Sequence, residues 1–487
     1  MAQARPTMSL LLRPPAIANP APAHRAKQTA KWRRALAAWF LPAALTLAVL
    51  CLYLANHRFL ESTDTVGNEL LPISILQHGS LTFDQYYAPP GPDGVFPTGE
   101  QALQPGSIPD AAAFRVAPEL EQKSIPWWFV RVGGHVVSLY PVAPGLLNTP
   151  VFYAANTMNV DLQNNLVQLT HITTSLIAAL TVLAMYLCLV QVTPYKRTVV
   201  YLTLAFALGT AVWSANSRSL YQHGAATLFI AAAFACLLSH RPRLIAVAGL
   251  LLALAVATRP ADAVLAGVLA LYVLRHERRA FPGFALLGAI PILLMTWYSW
   301  VYLGTPLALG QGQGTSGFGA NEPVIAVLGL LASPNRGLLA FSPIFIFSVI
   351  YAVNLVRRRG GPPLLHYVTW SSVALVGLYA LWTQWPGGHS YGYRFLIELT
   401  PGLMLLLAAA WPRLIEPRPL MRALFMVALL ASIYIHGLGA DAAPCGFDDE
   451  PDNIDYNHAR LWDVANGEIA RCTRMEIDAW QSNASSI

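Results

Sequence analysis

The segment Arg58–Tyr87 reads RFLESTDTVGNELLPISILQHGSLTFDQYY and directly follows the first long apolar run of the chain. It carries four acids, Glu61, Asp64, Glu69 and Asp84. A carboxylate is costly where hydrocarbon meets water unless it binds a cation, pairs with a base or transfers a proton. The segment therefore predicts a functional loop at a membrane surface. Which side of the membrane it faces follows from the charges of the other loops.

The composition is that of a membrane protein. Of the 487 residues, 55% are hydrophobic and 11% are charged, and the mean hydropathy is +0.46. Soluble domains carry roughly 25% charged residues, so an ordinary soluble protein is excluded. The net charge of +6 is explained by retention of Lys and Arg on one side of a membrane, and it does not indicate a nucleic-acid-binding surface.

Apolar runs recur along the chain at lengths that suit helices crossing about 30 Å of hydrocarbon. They predict an all-α polytopic fold with about 11 transmembrane helices, although the two short runs between 244 and 275 are also compatible with a re-entrant pair. The runs cover residues 37–56, 166–190, 198–215, 219–238, 244–258, 261–275, 281–302, 337–355, 364–384, 396–412 and 421–440.

Basic residues fix the expected orientation. Every second loop carries at least two Lys or Arg, which puts these loops and the N-terminus in the cytoplasm. The basic loops are TPYKRT, SHRPR, RHERR, VRRRGGPP and WPRLIEPRPLMR. Nearly all acids then face outward, the exceptions being Glu277 and Glu416. A cleaved signal peptide is the alternative for the N-terminus, but the first apolar run lacks a convincing cleavage site. The polar chemistry is therefore expected outside.

This topology divides the chain into three parts. The expected parts are a disordered basic cytoplasmic tail (1–36), a transmembrane domain (37–440) whose first periplasmic loop spans 57–165, and a small periplasmic C-terminal cap (441–487).

The cysteines follow the same division. Cys445 and Cys472 both lie in the outward tail, where an oxidising compartment would allow a disulfide. Cys51, Cys188 and Cys236 lie in apolar runs and are expected to be buried small side chains.

Glu61 and Asp64 are candidates for a general base. They are three residues apart, which on a helix would put both on one face just above the first span. A base must reach the hydroxyl of an acceptor while a membrane-anchored donor presents its reactive carbon at the interface. The alternative is that both acids cap a helix and pair with Arg58.

Four arginines fall at outward ends of the predicted spans. Arg near hydrocarbon is costly, but a lipid phosphate offsets the cost through bidentate hydrogen bonds. The four predict a binding site for a lipid head group or diphosphate, with structural pairing to Asp262, Glu398 or Glu322 as the alternative. They are Arg218, Arg259, Arg336 and Arg394.

The segment TQWPGGHSYGYRFLIELTP, residues 383–401, combines adjacent glycines with aromatic side chains. Aromatic planes and hydroxyls suit a sugar ring, so we expect His389, Tyr391 and Tyr393 to bind substrate. A plain aromatic belt at the interface is the alternative. His223, in YQHG, is a further substrate-binding candidate or else a hydrogen-bonded structural histidine.

Over residues 37–440 the chain resembles the GT-C superfamily of polyprenyl-phosphate-dependent glycosyltransferases, which includes protein mannosyltransferases and aminoarabinose lipid A transferases. The resemblance rests on the long first outer loop with an acid just after span one. It also rests on LYPVAPGLL before span two and on the pair SPNRGLLAFSP and WPGGHSYGYRFL.

The resemblance implies inverting transfer of a sugar from a polyprenyl-phosphate donor to a lipid, glycan or protein acceptor. Asp64 best matches the family's catalytic carboxylate. The form ESTD replaces the family's adjacent acids, so Glu61 remains the rival base. Glu69 and Asp84 are further expected substrate-binding acids. A divalent metal ion held by acids such as Asp64 and Glu69 is left open, and no other cofactor is implied.

Other functions compete with transfer. A transporter or flippase of a lipid-linked sugar would favour polar residues within the spans and inverted repeats, whereas here polar residues gather at one face. A non-catalytic subunit of an envelope polysaccharide machine is the third possibility. The expected location is a bacterial inner membrane with the C-terminus in the periplasm.

Overall fold

The computed structural model describes residues 39–56, 59–60, 62–86, 126, 128–132, 135–306, 317–319, 322–441, 445–454 and 456–484. The predicted tail (1–36), much of the first loop and Glu61 lie outside them. The chain divides into two units, residues 1–45 and 46–487. The described residues of the first unit, 39–45, form the start of one helix.

Helices make up most of the described chain. In the first part of the chain they are α1 (Trp39–Leu54), α2 (Val66–His78), α3 (Ala143–Thr157), α4 (Leu166–Val192), α5 (Lys196–Leu208), α6 (Gln222–Leu238), α7 (Pro242–Thr258), α8 (Ala263–His276) and α9 (Phe281–Leu303). In the second part they are α10 (Pro323–Ala332), α11 (Leu338–Phe341), α12 (Phe345–Arg358), α13 (Pro363–Ala380), α14 (Thr400–Ala410), α15 (Pro419–Asp441) and α16 (Glu468–Ala484).

Within the described residues, four helical segments are long and apolar enough to cross a membrane. They are α4, α9, the segment Arg394–Ile415 and α15. The segment Arg394–Ile415 consists of a 3₁₀ turn (Arg394–Leu399), α14 and a π turn (Trp411–Ile415). The predominance of helices and these four apolar segments agree with the helical membrane protein predicted from composition.

Helix α14 lies at the centre of the bundle. Every residue from Thr400 to Ala410 is buried, and the helix packs against α4, α6 and α12. A helix that is apolar all round is stable only where water is excluded, and around α14 the neighbouring helices exclude it. Its burial fixes the preceding turn, Arg394–Leu399, at one end of the bundle.

Helices α4, α6, α7 and α9 pack in series. The contact between α7 and α9 is close at Gly249, where a Cβ atom would lie 2.1 Å from the carbonyl oxygen of Phe284. Only glycine allows the two backbones to approach so closely.

The first loop contains a β-hairpin, which departs from the all-α expectation. Strands β1 (Phe129–Val132) and β2 (His135–Ser138) pair antiparallel, with Phe129 opposite Ser138. Val136 is fully buried with Phe83 in an apolar cluster that also includes residues of α2 and α3. The hairpin was missed because its strands are only four residues long and follow a Pro- and Gly-rich stretch.

In the C-terminal tail the structure describes residues 445–454 and 456–484. A disulfide joins Cys445 to Cys472 in α16, with 5.3 Å between their Cα atoms. A 3₁₀ turn (His458–Trp462) lies between them, and Leu461 is fully buried. We refer to residues 445–484 as the cap.

Candidate active site

Asp64 lies in the turn that leads into α2. The hydroxyl of Thr65 closes this turn by donating to the carbonyl of Ser62 at 2.8 Å. The Asp64 carboxylate accepts hydrogen bonds from the Tyr140 hydroxyl and the Arg394 guanidinium. The side chains of Asp64 and Arg394 keep 15% and 13% of their surface exposed, so the ion pair is accessible to a ligand.

Arg394 joins the first loop to the helix bundle. Its Nη1 donates to the carbonyl of Gly387 at 3.3 Å, and its Nε donates to Nε2 of His223 at 3.3 Å. Its Cζ lies 4.4 Å from the centre of the Tyr221 ring, within cation–π range. The guanidinium is therefore oriented by several groups besides Asp64.

His223 continues the chain of contacts inward. Its Nδ1 lies 2.8 Å from Oε1 of Glu398, and Nη1 of Arg259 donates to the same oxygen at 2.5 Å. Nη1 of Arg259 also contacts Nδ1 of His223, so this nitrogen lies against both Arg259 and Glu398. The tautomer with the proton on Nδ1 donates to Glu398 and leaves Nε2 to accept from Arg394, whereas the other tautomer accepts from Arg259 at Nδ1. The side chains Asp64, Arg394, His223, Glu398 and Arg259 thus form one connected group, which we call the Asp64 network.

Asp262 adds a buried acid next to this network. It is fully buried and interacts electrostatically with Arg259 and Glu398. Both carboxylate oxygens of Asp262 and Oε2 of Glu398 lack a hydrogen-bond partner among the described residues. Ionisable side chains buried in a helical membrane protein are typical of functional sites.

Of the two other predicted substrate-binding acids, Glu69 interacts electrostatically with Tyr221, the ring that packs against Arg394, and Asp84 lies at the hairpin. Glu69 is on α2, with 4% of its surface exposed. Asp84 holds the hairpin, since its carboxylate accepts from the Val136 amide at 2.6 Å and lies 2.7 Å from Nδ1 of His135. Partial burial raises the pKa of Asp84, but the hydrogen bonds outweigh it and bring the pKa below its ordinary value.

The aromatic residues of the 383–401 segment face the helices. The Tyr391 hydroxyl donates to the carbonyl of Ile435 at 2.8 Å. The Tyr393 hydroxyl accepts from the Ala211 amide at 3.0 Å. His389 is exposed, with Nε2 2.8 Å from Oδ1 of Asp449 in the cap. The tyrosine hydroxyls therefore bond to the helix bundle and do not hydrogen-bond to the Asp64 network.

The structure separates the four predicted phosphate-binding arginines. Arg259 and Arg394 belong to the Asp64 network. Arg218 is fully buried and its Nη1 donates to the carbonyl of Gly439 in α15. Arg336 is also buried and forms ion pairs with acids of the cap.

An apolar cavity of about 270 Å³ adjoins the Asp64 network. Tyr140 lines it and donates to Asp64, so one side chain separates the cavity from the carboxylate. Leu294 and Trp297 of α9 are more than half exposed, which opens this wall to the outer surface of the helix. Other lining side chains include Leu81, Leu139, Leu146, Leu254 and Ala257.

The donor set does not favour a divalent metal ion at Asp64. Within the described residues, no group of three or more His, Cys, Asp or Glu side chains could hold a metal. Both oxygens of Asp64 are engaged, by Arg394 and by Tyr140. The mechanism proposed for this site therefore includes no metal ion.

Sequence analysis did not single out Tyr140. It considered Glu398 and Asp262 only as structural partners of the arginines, and the structure pairs Glu398 with Arg259 in the network and places Asp262 beside them. Tyr140 lies in LYPVAPGLL, a segment that the resemblance did include. Burial raises the pKa of Tyr140 above its ordinary value, so its hydroxyl remains a hydrogen-bond donor to Asp64.

Comparison with known proteins gives no further assignment, because no family model, curated protein or solved structure matches the chain.

Proposed function

We propose that the protein transfers a sugar from a polyprenyl-phosphate donor to an acceptor hydroxyl at the outer membrane interface, with inversion and with Asp64 as the base. The observation that carries this proposal is the accessible Asp64–Arg394 pair beside an apolar cavity. A carboxylate, a cation and an apolar groove match the hydroxyl, the phosphate and the lipid chain of such a reaction.

We also propose that the chain crosses a bacterial inner membrane eleven times. The N-terminus would lie in the cytoplasm and the C-terminus in the periplasm. Contacts among the predicted inner loops support this topology. His240 and Glu277 come from different inner loops, and their Nδ1 and Oε1 atoms lie 2.8 Å apart. Arg358, Arg413 and Arg418, from two more inner loops, line one pocket of about 400 Å³.

Contacts among the predicted outer ends support the same topology. Asp64, beyond the first span, pairs with Arg394, beyond the ninth. Asn56 donates from Nδ2 to the Ser217 hydroxyl at 3.2 Å, which links the outer ends of the first and third spans. Each pair joins ends that the alternation of loops assigns to one side.

The lipid chain of the donor would occupy the cavity between the first loop, α7 and α9. Its lining is almost entirely apolar, and the exposed Leu294 and Trp297 would face lipid if α9 crosses the membrane. Burial of the lipid chain's apolar surface in this cavity would contribute roughly 25 cal/mol of favourable free energy per Å² removed from water. The phosphate would then reach Arg394, which can bind it through charge-assisted hydrogen bonds.

The Asp64–Arg394 pair suggests an order of events. A carboxylate paired with a guanidinium is a weak base, because the positive charge favours its ionised form. The donor phosphate competes for Arg394 and releases Asp64. Asp64 then takes the proton of the acceptor hydroxyl as its oxygen bonds to the anomeric carbon.

As that bond forms, the bond from the anomeric carbon to the phosphate oxygen breaks, and polyprenyl phosphate leaves with the electron pair. The transition state is oxocarbenium-like. Arg394 stabilises the charge that develops on the phosphate, an effect for which loss of one group typically costs about 10²–10³ in rate. Arg259 is tied to Glu398 and acts by positioning His223, which orients Arg394.

The test is release of polyprenyl phosphate by the purified protein from a panel of polyprenyl-phosphate sugars. Asp64→Asn should lower turnover by about 10³-fold or more while leaving folding intact, since the amide cannot accept the proton. Asp478→Asn, an exposed position on α16, is the matched control and should retain activity. Normal transfer by Asp64→Asn would refute the assignment of the base.

Movement of a lipid-linked sugar across the membrane is the second candidate. The buried Asp262 and Glu398 favour it, because ionisable groups buried within a helical membrane protein also line transport paths. In vesicles loaded with donor, a transporter would move intact lipid-linked sugar in the Asp64→Asn variant, and no polyprenyl phosphate would be released.

A further inference from the structure

Arg336 is buried at the junction between the helix bundle and the cap. Its Nη1 donates to Oε2 of Glu468 at 2.8 Å, and its Nη2 donates to the Asp448 carboxylate. Its Nε donates to the carbonyl of Pro386 at 3.1 Å, and Nη2 also donates to that of Gly388 at 3.1 Å. One guanidinium therefore binds both the cap and the loop that leads to Arg394.

Glu468 makes a second link between the cap and this loop. The oxygen that accepts from Arg336 also accepts from the Gly392 amide at 3.1 Å. Gly392 has φ +73°, and a Cβ there would lie 2.7 Å from the Phe341 ring. The loop is therefore held at Pro386, Gly388 and Gly392, only two residues before Arg394.

The disulfide holds the two acids of the cap together. Cys445 lies three residues before Asp448, and Cys472 lies one helical turn after Glu468. Joining these two segments presents both carboxylates to Arg336. The backbone amide of Glu468 also donates to Oδ1 of Asn335 at 2.8 Å. Asn335 directly precedes Arg336 in the chain.

We propose that Arg336 and the cap residues Glu468 and Asp448 form a latch that positions the loop 386–394, so that Arg336 is a positioning residue for Arg394 and not a ligand of the donor. The catalytic consequence rests on the proposed function. The effect of the latch on the loop 386–394 does not depend on the proposed function and is tested by hydrogen exchange.

The chemistry of Glu468 suggests the most informative substitution. Burial raises the pKa of Glu468 to about 8, against the opposing effect of Arg336. One oxygen of Glu468 accepts from both Arg336 and the Gly392 amide, so the latch needs an acceptor oxygen at this position. Glu468→Gln keeps that oxygen in an isosteric side chain, whereas Glu468→Ala removes it.

The experiment is hydrogen exchange of peptides covering 386–394 in the purified full-length protein. Glu468→Ala should accelerate exchange there by about tenfold, as expected for loss of one or two hydrogen bonds. Glu468→Gln should stay near the wild-type rate, and Asp478→Ala on the exposed face of α16 should not change it. Cys445→Ser with Cys472→Ser should also accelerate exchange, because the two acids are no longer held together.

Unchanged exchange at 386–394 in Glu468→Ala, with the cap still protected, would overturn the latch. So would equal acceleration by Glu468→Gln and Glu468→Ala. Where transfer is measurable, Glu468→Ala should reduce kcat and Glu468→Gln should restore it. A wild-type protein with no transfer but a responsive loop would refute the proposed function and leave the latch standing.

Discussion

At the scale of single residues, the Asp64–Arg394 pair is the feature on which the proposed chemistry depends. The two residues are 330 positions apart in sequence, yet they form an ion pair that keeps part of its surface exposed. Because both side chains are mostly buried, the cost of removing the two charges from water offsets much of their attraction, and such a pair is weak evidence for stability. Its value therefore lies in the reactivity of the carboxylate and in the availability of the guanidinium for phosphate.

Arg336 illustrates the opposite case. Its guanidinium is fully buried, and a buried charge is costly unless it is paired and hydrogen-bonded. The carbonyls and acids around it satisfy this requirement. Arg336 and Arg394 look alike in sequence, since each follows a Pro- or Gly-containing turn at an outward end, but their partners give them different roles.

Asp84 provides a pH-dependent prediction. Its pKa lies below the ordinary 3.8, because His135, the Val136 amide and Thr82 bond to the carboxylate and outweigh its partial burial. A carboxylate with a depressed pKa in the folded state stabilises the hairpin above about pH 4 and loses this effect as the pH falls through the folded pKa. We expect the hairpin to loosen below about pH 4.

Hydrogen exchange of peptides covering the hairpin, corrected for intrinsic rates, measures this effect. Wild type should lose protection between pH 6 and pH 3, while Asp84→Asn should already have reduced protection at pH 6 and show a weaker pH dependence. Identical pH profiles in the two proteins would rule out Asp84 as the group responsible.

At the scale of secondary-structure elements, the contact between α7 and α9 forms one side of the apolar cavity. A methyl group at Gly249 would meet the backbone of Phe284 at 2.1 Å. We expect Gly249→Ala to lower the free energy of unfolding by about 1–3 kcal/mol, the usual cost of overpacking. Thermal unfolding in detergent measures the change.

Gly267, on α8, is the matched control because nothing lies within 4 Å of its Cβ position. Gly267→Ala should gain up to about 1 kcal/mol from the higher helix propensity of Ala. If both variants shift the unfolding temperature in the same direction and by the same amount, α7 and α9 are not in close contact at Gly249.

Short elements account for most departures from the sequence-based expectation. The hairpin of the first loop has four-residue strands, and its stability comes from Asp84 and from burial of Val136. Such tertiary contacts leave no periodic pattern long enough to identify a strand. Long apolar helices such as α4 and α15 were predictable because their signal extends over more than twenty residues.

At the scale of the whole molecule, the orientation in the membrane is the most consequential prediction. Single cysteines at the exposed positions Met158 and Tyr456 should react with an impermeant maleimide in right-side-out vesicles. A cysteine at the exposed Arg278 should react only after the membrane is opened. The background would carry alanine at Cys51, Cys188 and Cys236.

Labelling of Arg278→Cys in sealed vesicles, with Met158→Cys protected, would show that the orientation in the membrane is the opposite of the proposed one. Labelling of Met158→Cys and protection of Tyr456→Cys would instead mean an odd number of crossings between the two positions, whereas the proposed topology places an even number, spans two to eleven, between them. Either result would move the Asp64 network relative to its donor.

The amino-acid sequence by itself determined that this is a helical membrane protein, where its long apolar helices lie and which loops are basic. These properties follow from the partition of single side chains between water and hydrocarbon, which depends on residue type and local order in the chain. The tertiary structure alone decided that Arg394 meets Asp64, that Arg336 meets the cap and that Tyr140 separates Asp64 from an apolar cavity. Those pairings depend on which distant chain segments pack together, and a charged side chain takes its role from the partner that packing brings to it.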